Sequence, residues 1–164
     1  MHSYEFISID DLKMQKLGMV DDHSIDKEIW YEARAKMKSV LESGNSVVFD
    51  STFSTLGRRD HFMGIARAVP VTIIEGLFFD IPLEEVLKRN RMRGTSGGKL
   101  ADEAYIREAY EKLRIEPPTP NEDFDVLIRI DEYGKISEVK GHADNVLLKY
   151  LREHPTDNEL QEGF

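Results

Sequence analysis

The sequence contains no cysteine, so its 164 residues can form neither a disulfide bond nor a zinc site built on thiolates. No apolar run reaches the roughly 20 residues of a membrane-spanning helix. The first five residues contain no Lys or Arg, unlike the basic start of a signal peptide. The five histidines are not at ligand spacing and no nucleophile elbow is present, which argues against a zinc enzyme or a serine hydrolase. We therefore expect a cytoplasmic protein.

Positive charge is also scarce, because 22 Lys and Arg stand against 31 Asp and Glu and leave a formal net charge of −9. Such a chain repels a polyanion on average, so any contact with nucleic acid must come from a local patch. One patch has no acidic residue within it, and its members are Lys88, Arg89, Arg91, Arg93 and Lys99. An equally simple interpretation is that these five residues form a solvated helix end, since basic residues favour helix C-termini.

The pattern that is present alternates strands with helices. Apolar runs predict strands over residues 4–9, 46–50, 71–79 and 126–130. Amphipathic spacing predicts helices over residues 26–43, 58–68, 83–92, 102–113 and 143–152, with a loop over 14–24 and a frayed acidic tail over 154–164. This order predicts an α/β fold with a mainly parallel sheet, in one domain over residues 1–153.

Carboxylates follow three of the predicted strands. Asp10 and Asp11 follow the first strand, Asp50 ends the second and Asp80 follows the third. Ligands of parallel sheets bind beyond the carboxyl ends of the strands, and oxygen ligands suit magnesium. A single Asp after a strand is also a common cap or turn residue, so a functional site is indicated only because carboxylates follow three strands at one edge of the sheet.

Two of these carboxylates have informative neighbours. Lys13 lies three residues after Asp10, and in a helix this spacing puts a base and a phosphate anchor on one face. The simpler alternative is a helix N-terminus whose Asp residues complement the helix dipole, with Lys13 in solvent. Asp50 precedes Ser51 and Thr52, whose hydroxyls could order an acceptor or metal-bound water, or could merely cap the next helix.

Two arginines, Arg89 and Arg93, are spaced to project from one helical face just before a glycine-rich stretch at residues 94–98. Guanidinium groups present forked donors that match phosphate oxygens. A lid over about residues 89–101 would stabilise charge during phosphoryl transfer.

Taken in order, these motifs resemble the polynucleotide kinase-like branch of the P-loop kinases, which includes AAA-type ATP-binding and zeta-toxin-like proteins. The resemblance covers roughly residues 4–131 and rests on the segments Ile9–Lys13, Ser46–Thr52, Phe79–Glu84, Arg89–Thr95 and Glu122–Asp125. It implies a P-loop NTPase-like three-layer α/β sandwich that uses ATP and Mg²⁺. The implied partners are a nucleotide and a hydroxyl-bearing acceptor, with a nucleic-acid 5′ end among the candidates and no membrane.

The resemblance also implies roles for individual residues. Asp10 would be the general base on the acceptor hydroxyl, and Lys13 would contact phosphate where the family often has Arg. Asp50 and Thr52 would form the acceptor and metal region, with Asp50 as the metal ligand, while Phe53 stands where relatives often have Asn. On the lid, Arg89 and Arg93 would bind the phosphates of ATP, and Arg93 would also act in catalysis.

The family's first strand and its phosphate-binding loop, G-x-x-x-x-G-K-[ST], have no counterpart in this sequence. The Gly-Lys pairs at residues 98–99 and 134–135 do not fit the motif. The absent strand would lie in the middle of the sheet. We expect either an incomplete start, which we favour, or direct pairing of the flanking strands, or a strand supplied by a partner, with self-association through exposed edges.

The predicted function is an ATP-dependent phosphotransferase resembling polynucleotide 5′-hydroxyl kinase. One alternative is a non-catalytic relative that binds phosphate or a protein partner, because the phosphate-binding loop is missing. Another is a kinase for a small molecule or for the sugar nucleotide that zeta-type toxins modify.

Overall fold

The computed structural model describes residues 4–18, 24–70, 72–95 and 100–141. The predicted helix at 143–152, the acidic tail and residues 96–99 of the predicted lid lie outside them. The chain divides into two compact units, the first spanning Met1–Phe53 and Gly57–Thr72 and the second spanning Ser54–Leu56 and Ile73–Phe164. No helix within the described ranges is long and apolar enough to cross a membrane.

The first unit is built around two parallel strands. Its elements are β1 (Tyr4–Ser8), α1 (Ile9–Leu17), α2 (Asp26–Glu42), β2 (Ser46–Asp50) and α3 (Leu56–Arg67). The first residue of α3, Leu56, is assigned to the second unit. β1 pairs with β2 in parallel, from Tyr4 opposite Ser46 to Ser8 opposite Asp50. Both strands therefore end at the same edge of the sheet.

One face of this sheet forms the core of the first unit. Ile7 of β1 packs with the predicted stripe of α2 and with Phe62 of α3. The stripe consists of Ile29, Ala33 and Met37, all buried. Because side chains alternate along a strand, Phe6 and Val48 point to the opposite face, where they are 51% and 44% exposed.

Two local predictions in the first unit are wrong. Residues 14–17 continue helix α1 instead of starting the loop predicted over 14–24, and the helix ends at Gly18, which has the left-handed φ of 69° that favours glycine. The residue that caps α2 is Ile25, which makes no side-chain capping bond, where Ser24 was expected.

The second unit contains β3 (Glu75–Phe79), α4 (Leu83–Thr95), α5 (Glu103–Ile115), β4 (Val126–Ile130) and β5 (Ile136–Gly141). β3 pairs with β4 in parallel, and β4 pairs with β5 antiparallel. The strand predicted over 71–79 begins only at Glu75, and β5 was not predicted. Val126, Ile128 and Ile130 of β4 form the buried centre of this sheet.

The α/β class is confirmed, but the described strands form two sheets where one was expected. In the part of the chain that the structure describes, β2 pairs only with β1, and β3 pairs with β4 alone. The expected alternative of direct pairing between these two strands is therefore not found. Each strand is an edge of its own sheet.

Helix α4 is longer than the sequence predicted. It continues to Thr95, so Gly94 belongs to the helix and not to a flexible stretch. A Cβ atom on Gly94 would come within 2.7 Å of Leu100 Cγ, so the small residue allows this close approach. Leu87 is fully buried on the inner side of the helix.

Candidate functional site

Three predicted carboxylates meet at the carboxyl edge of the first unit's sheet. The parallel register sets Ser8 opposite Asp50, and α1 starts immediately after Ser8, which puts Asp10 and Asp11 in its first turn. Partial burial raises the pKa of Asp50, and the negative charges of Asp10 and Asp11 raise this pKa further. The parallel register and the first turn of α1 therefore bring the three carboxylates to one edge of this sheet.

The Ser8 hydroxyl, at the end of β1, contacts both the start of α1 and the end of β2. Its buried hydroxyl accepts a hydrogen bond from the backbone N–H of Asp11 at 3.4 Å, which caps α1. The same hydroxyl hydrogen-bonds to the Asp50 carboxylate, a contact that lowers the pKa of Asp50 against the two raising effects. Asp10 remains exposed on the first turn of α1.

Lys13 does not point into solvent. It is 5% exposed, and its ammonium forms an ion pair with the Asp26 carboxylate at the start of α2. The solvated Lys13 considered from the sequence is therefore wrong. Contact between Lys13 and a substrate phosphate stays a prediction. In the structure, the Lys13 ammonium is already paired with Asp26.

The turn that follows Asp50 carries Thr52, which is exposed, and Phe53, whose φ is 40°. The Phe53 ring packs against Phe49 and Phe62 with centroid distances of 5.6 Å and 5.2 Å. The Phe53 carbonyl accepts a hydrogen bond from Arg59 Nη1 at 3.0 Å. The sequence pattern gave Arg59 no role.

The predicted lid arginines belong to the second unit. Arg89 Nε donates to Glu85 Oε1 at 3.0 Å, and its Nη2 donates to the backbone carbonyl of Glu132. Arg93 is exposed, and its guanidinium makes no ion pair with any described residue. Of the two, Arg93 therefore has the more accessible positive charge.

Asp80 also lies in the second unit, where Arg129 Nη1 donates to its Oδ2 at 3.2 Å. It is thus described with β3 and β4 and not with the carboxylates of the first unit. The strand-end pattern placed it correctly at the end of β3, but its arginine partner depends on the pairing of β3 with β4.

The resemblance implies a magnesium ion, which requires oxygen donors. No group of three or more acidic or histidine side chains in the described ranges could hold a metal ion by itself. Mg²⁺ commonly takes only one or two carboxylates together with substrate phosphates and water. Asp50, at the end of β2, supplies one such hard oxygen donor.

Comparison with known proteins gives one positive result. A profile of the AAA domain family matches residues 1–115, well over half of the chain. The match includes the carboxylate edge of the first unit and the arginines of α4. No curated protein sequence matches the chain. The mixed α/β architecture and this match identify the chain as a member of the AAA domain family, with P-loop NTPase-like, nucleotide-binding character.

Proposed function

We propose that the protein is an ATP-dependent phosphotransferase that transfers a phosphoryl group to an acceptor hydroxyl, as polynucleotide 5′-hydroxyl kinases do. The observation that carries the proposal is the cluster of Asp10, Asp11 and Asp50 at the carboxyl edge of β1 and β2. Membership of a family that includes kinase-like nucleotide-binding proteins supports it.

In this reaction Asp10 acts as the general base. Its carboxylate accepts the proton of the acceptor hydroxyl while the hydroxyl oxygen forms a bond to the terminal phosphorus of ATP. The bond between that phosphorus and the bridging oxygen breaks, and ADP leaves with the electron pair. Exposure of Asp10 on the first turn of α1 suits this role, because the acceptor must come within hydrogen-bond distance.

Asp50 and Thr52 orient the acceptor. Both lie where β2 ends, and both are exposed enough to meet a substrate. When Mg²⁺ is bound, Asp50 would hold it, and the ion would neutralise charge on the phosphates. Burial, and then the neighbouring charges of Asp10 and Asp11, raise the pKa of Asp50, and a bound cation would offset the repulsion between these charges.

Arg93 stabilises negative charge on the transferred phosphoryl group, and Arg89 assists it. Arg93 is the better candidate for direct phosphate contact, because Arg89 already donates to Glu85 and to the carbonyl of Glu132. Nucleotide binding would then replace one of the two exposed Arg89 contacts with a contact to a phosphate oxygen, at little cost in free energy.

A second candidate function is a binding protein that does not catalyse transfer. The observation that favours it is the lack of a G-x-x-x-x-G-K-[ST] motif in the 164 residues. Calorimetry with ATP and Mg²⁺ separates the two functions, and we expect weak or no binding by the chain as given.

The test of the proposed function uses ATP labelled in the terminal phosphate and a panel of acceptors. The panel holds a 5′-hydroxyl oligonucleotide, a sugar nucleotide and a hydroxyl-bearing small molecule. Both the 164-residue chain and a version extended by the codons upstream of Met1 are assayed. We expect Asp10→Asn to lose transfer and Asp60→Asn, an exposed carboxylate of α3, to keep it. Transfer that Asp10→Asn leaves intact rejects the assignment of the base.

A further inference from the structure

The turn after β2 contains an unusual backbone conformation. Phe53 has a φ of 40°, and among the described residues it is the one non-glycine with positive φ. The other three positions with positive φ are glycines, Gly18, Gly44 and Gly134. A bulky side chain in the left-handed region costs roughly 1–3 kcal/mol, so surrounding contacts must hold it there.

Two kinds of contact hold Phe53. Its ring is packed between Phe49 and Phe62 in the core of the first unit. Its carbonyl oxygen accepts the hydrogen bond from Arg59 Nη1. Ring and carbonyl are thus fixed together, and rotation about the Phe53 backbone would break one contact or the other.

Arg59 is an uncommon residue for such a position. It lies near the start of α3 and is only 4% exposed, although its guanidinium is charged. Burial of a cation is costly unless it is hydrogen-bonded, and a bond from a charged donor is stronger than one between neutral groups. A neutral apolar residue would have filled the space at lower cost. The arrangement therefore favours a role for the donor group.

We infer that Arg59 is a positioning residue that fixes the Asp50–Phe53 turn by holding the Phe53 carbonyl. Thr52 directly precedes Phe53, and Asp50 ends β2 three residues before it, so the conformation at Phe53 sets the path of the turn that carries Thr52 away from Asp50. The kinetic part of this inference rests on the proposed function, in which these two residues orient the acceptor. The conformational part stands on the turn alone.

The first test is structural and needs no activity. Backbone chemical shifts of residues 50–55, which report φ and ψ, are recorded for the 164-residue chain and for Arg59→Met. We expect Phe53 to leave the left-handed region in Arg59→Met. Arg58→Met is the matched control, since Arg58 lies one residue earlier over the Trp30 ring and is exposed. Unchanged shifts in Arg59→Met overturn the inference.

A rescue variant separates positioning from general stability. Glycine adopts positive φ at no steric cost, so Phe53→Gly added to Arg59→Met should restore the left-handed turn despite the loss of the ring.

If Arg59→Met does not fold, Arg59→Lys replaces it. Lys keeps the charge and a donor but lacks the fork, and we expect two conformers of Phe53. A single wild-type conformer in Arg59→Lys overturns the inference.

The second test measures transfer in whichever form of the protein shows it. Misplacement of an orienting group by about 1 Å can cost roughly 100-fold in rate, so we expect Arg59→Met to lower kcat/KM for the acceptor about 10-fold to 100-fold. KM for ATP should stay unchanged, and the glycine rescue should recover part of the loss. An equal fall for both substrates, matching a loss of folded protein, overturns the kinetic part.

The two tests fail independently. Wild-type protein that transfers no phosphate, while Phe53 responds to Arg59 as expected, rejects the proposed function and leaves the positioning of the turn intact. Transfer that is lost in Asp10→Asn but unaffected by Arg59→Met supports the function and rejects the positioning role.

Discussion

Asn90 ties helix α4 to the segment that precedes α5, and its removal has a calculable cost. Its side chain is 4% exposed and makes two hydrogen bonds to the backbone of Ala101. Nδ2 donates to the Ala101 carbonyl at 2.9 Å, and Oδ1 accepts from the Ala101 N–H at 2.9 Å. Each bond contributes about 1 kcal/mol net, so Asn90→Ala should lose about 2 kcal/mol.

The loss should appear first at the Ala101 amide. A free-energy change of about 2 kcal/mol corresponds to roughly 30-fold in an equilibrium, so the Ala101 N–H should exchange with solvent about 30-fold faster in Asn90→Ala. Hydrogen exchange followed by NMR is the assay. Trp fluorescence is unsuitable, because the only tryptophan is Trp30 in the first unit.

Two variants sharpen the test. Asn90→Asp keeps an acceptor for the Ala101 N–H but loses the donor, so its effect on exchange should be intermediate. Arg91→Ala is the matched control on the same helix, since it breaks only an exposed ion pair with Glu103 and should change exchange at Ala101 very little. Exchange in Asn90→Ala within about 3-fold of wild type would show that the two side-chain hydrogen bonds do not stabilise this segment.

Three further predictions concern stability. A Cβ on Gly141 would collide with the backbone carbonyl of Asp125, so Gly141→Ala should lower the free energy of unfolding by roughly 1–3 kcal/mol in urea denaturation. Burial, and then the charge of Asp125, raise the pKa of Glu75, so stability should fall as pH rises through that pKa, and Glu75→Gln should remove this dependence. Lys13→Met should lower the free energy of unfolding by roughly 1–3 kcal/mol because it removes the cation that pairs with Asp26, and adding Asp26→Asn should recover part of the loss.

Each of these has a clear contrary result. Unchanged β4–β5 cross-strand contacts and unchanged stability in Gly141→Ala would contradict the steric argument. For Glu75, the sign is the test: the folded state holds the proton more tightly than the unfolded state, so a stability that rises with pH in this range contradicts it. Glu111→Gln, an exposed carboxylate of α5, serves as the control. For Lys13, no recovery in the double variant argues that lost packing, and not charge, explains the cost.

Much of the fold was predictable because its signals are local. The apolar runs of β1, β2 and β4 and the stripe of α2 each appear within a short stretch of sequence. Helix α1 beyond residue 13 was missed because it lacks an apolar stripe. Lys16 near its end instead binds Glu28 and Glu32 of α2, at 3.0 Å and 2.6 Å, which only the tertiary structure reveals.

Strand β5 was missed for a related reason. Its alternation is masked by charged residues, among them Glu138 and Lys140. The strand exists because the turn at Gly134, where φ is 78°, lets it pair back on β4. Pairing with a neighbour decides a strand of weak intrinsic pattern.

The site was predictable in part. Convergence of Asp10 and Asp50 follows from parallel strands that end together, a rule that needs no coordinates. The Lys13–Asp26 ion pair and the Arg59–Phe53 hydrogen bond depend on how helices pack beside the sheet, which periodicity does not determine. The sequence pattern therefore located the carboxylates but not these two contacts.

The most direct test of the proposed function is phosphoryl transfer from labelled ATP to the acceptor panel by wild type, Asp10→Asn and Asp60→Asn, each in the version extended by the codons upstream of Met1. General bases typically contribute about 10²-fold to 10⁴-fold, so Asp10→Asn should lose transfer by at least 100-fold while Asp60→Asn stays near wild type. KM for ATP should not change. Transfer by Asp10→Asn at the wild-type rate, or an equal loss in both variants, would contradict the assignment of Asp10 as the base at the carboxylate edge.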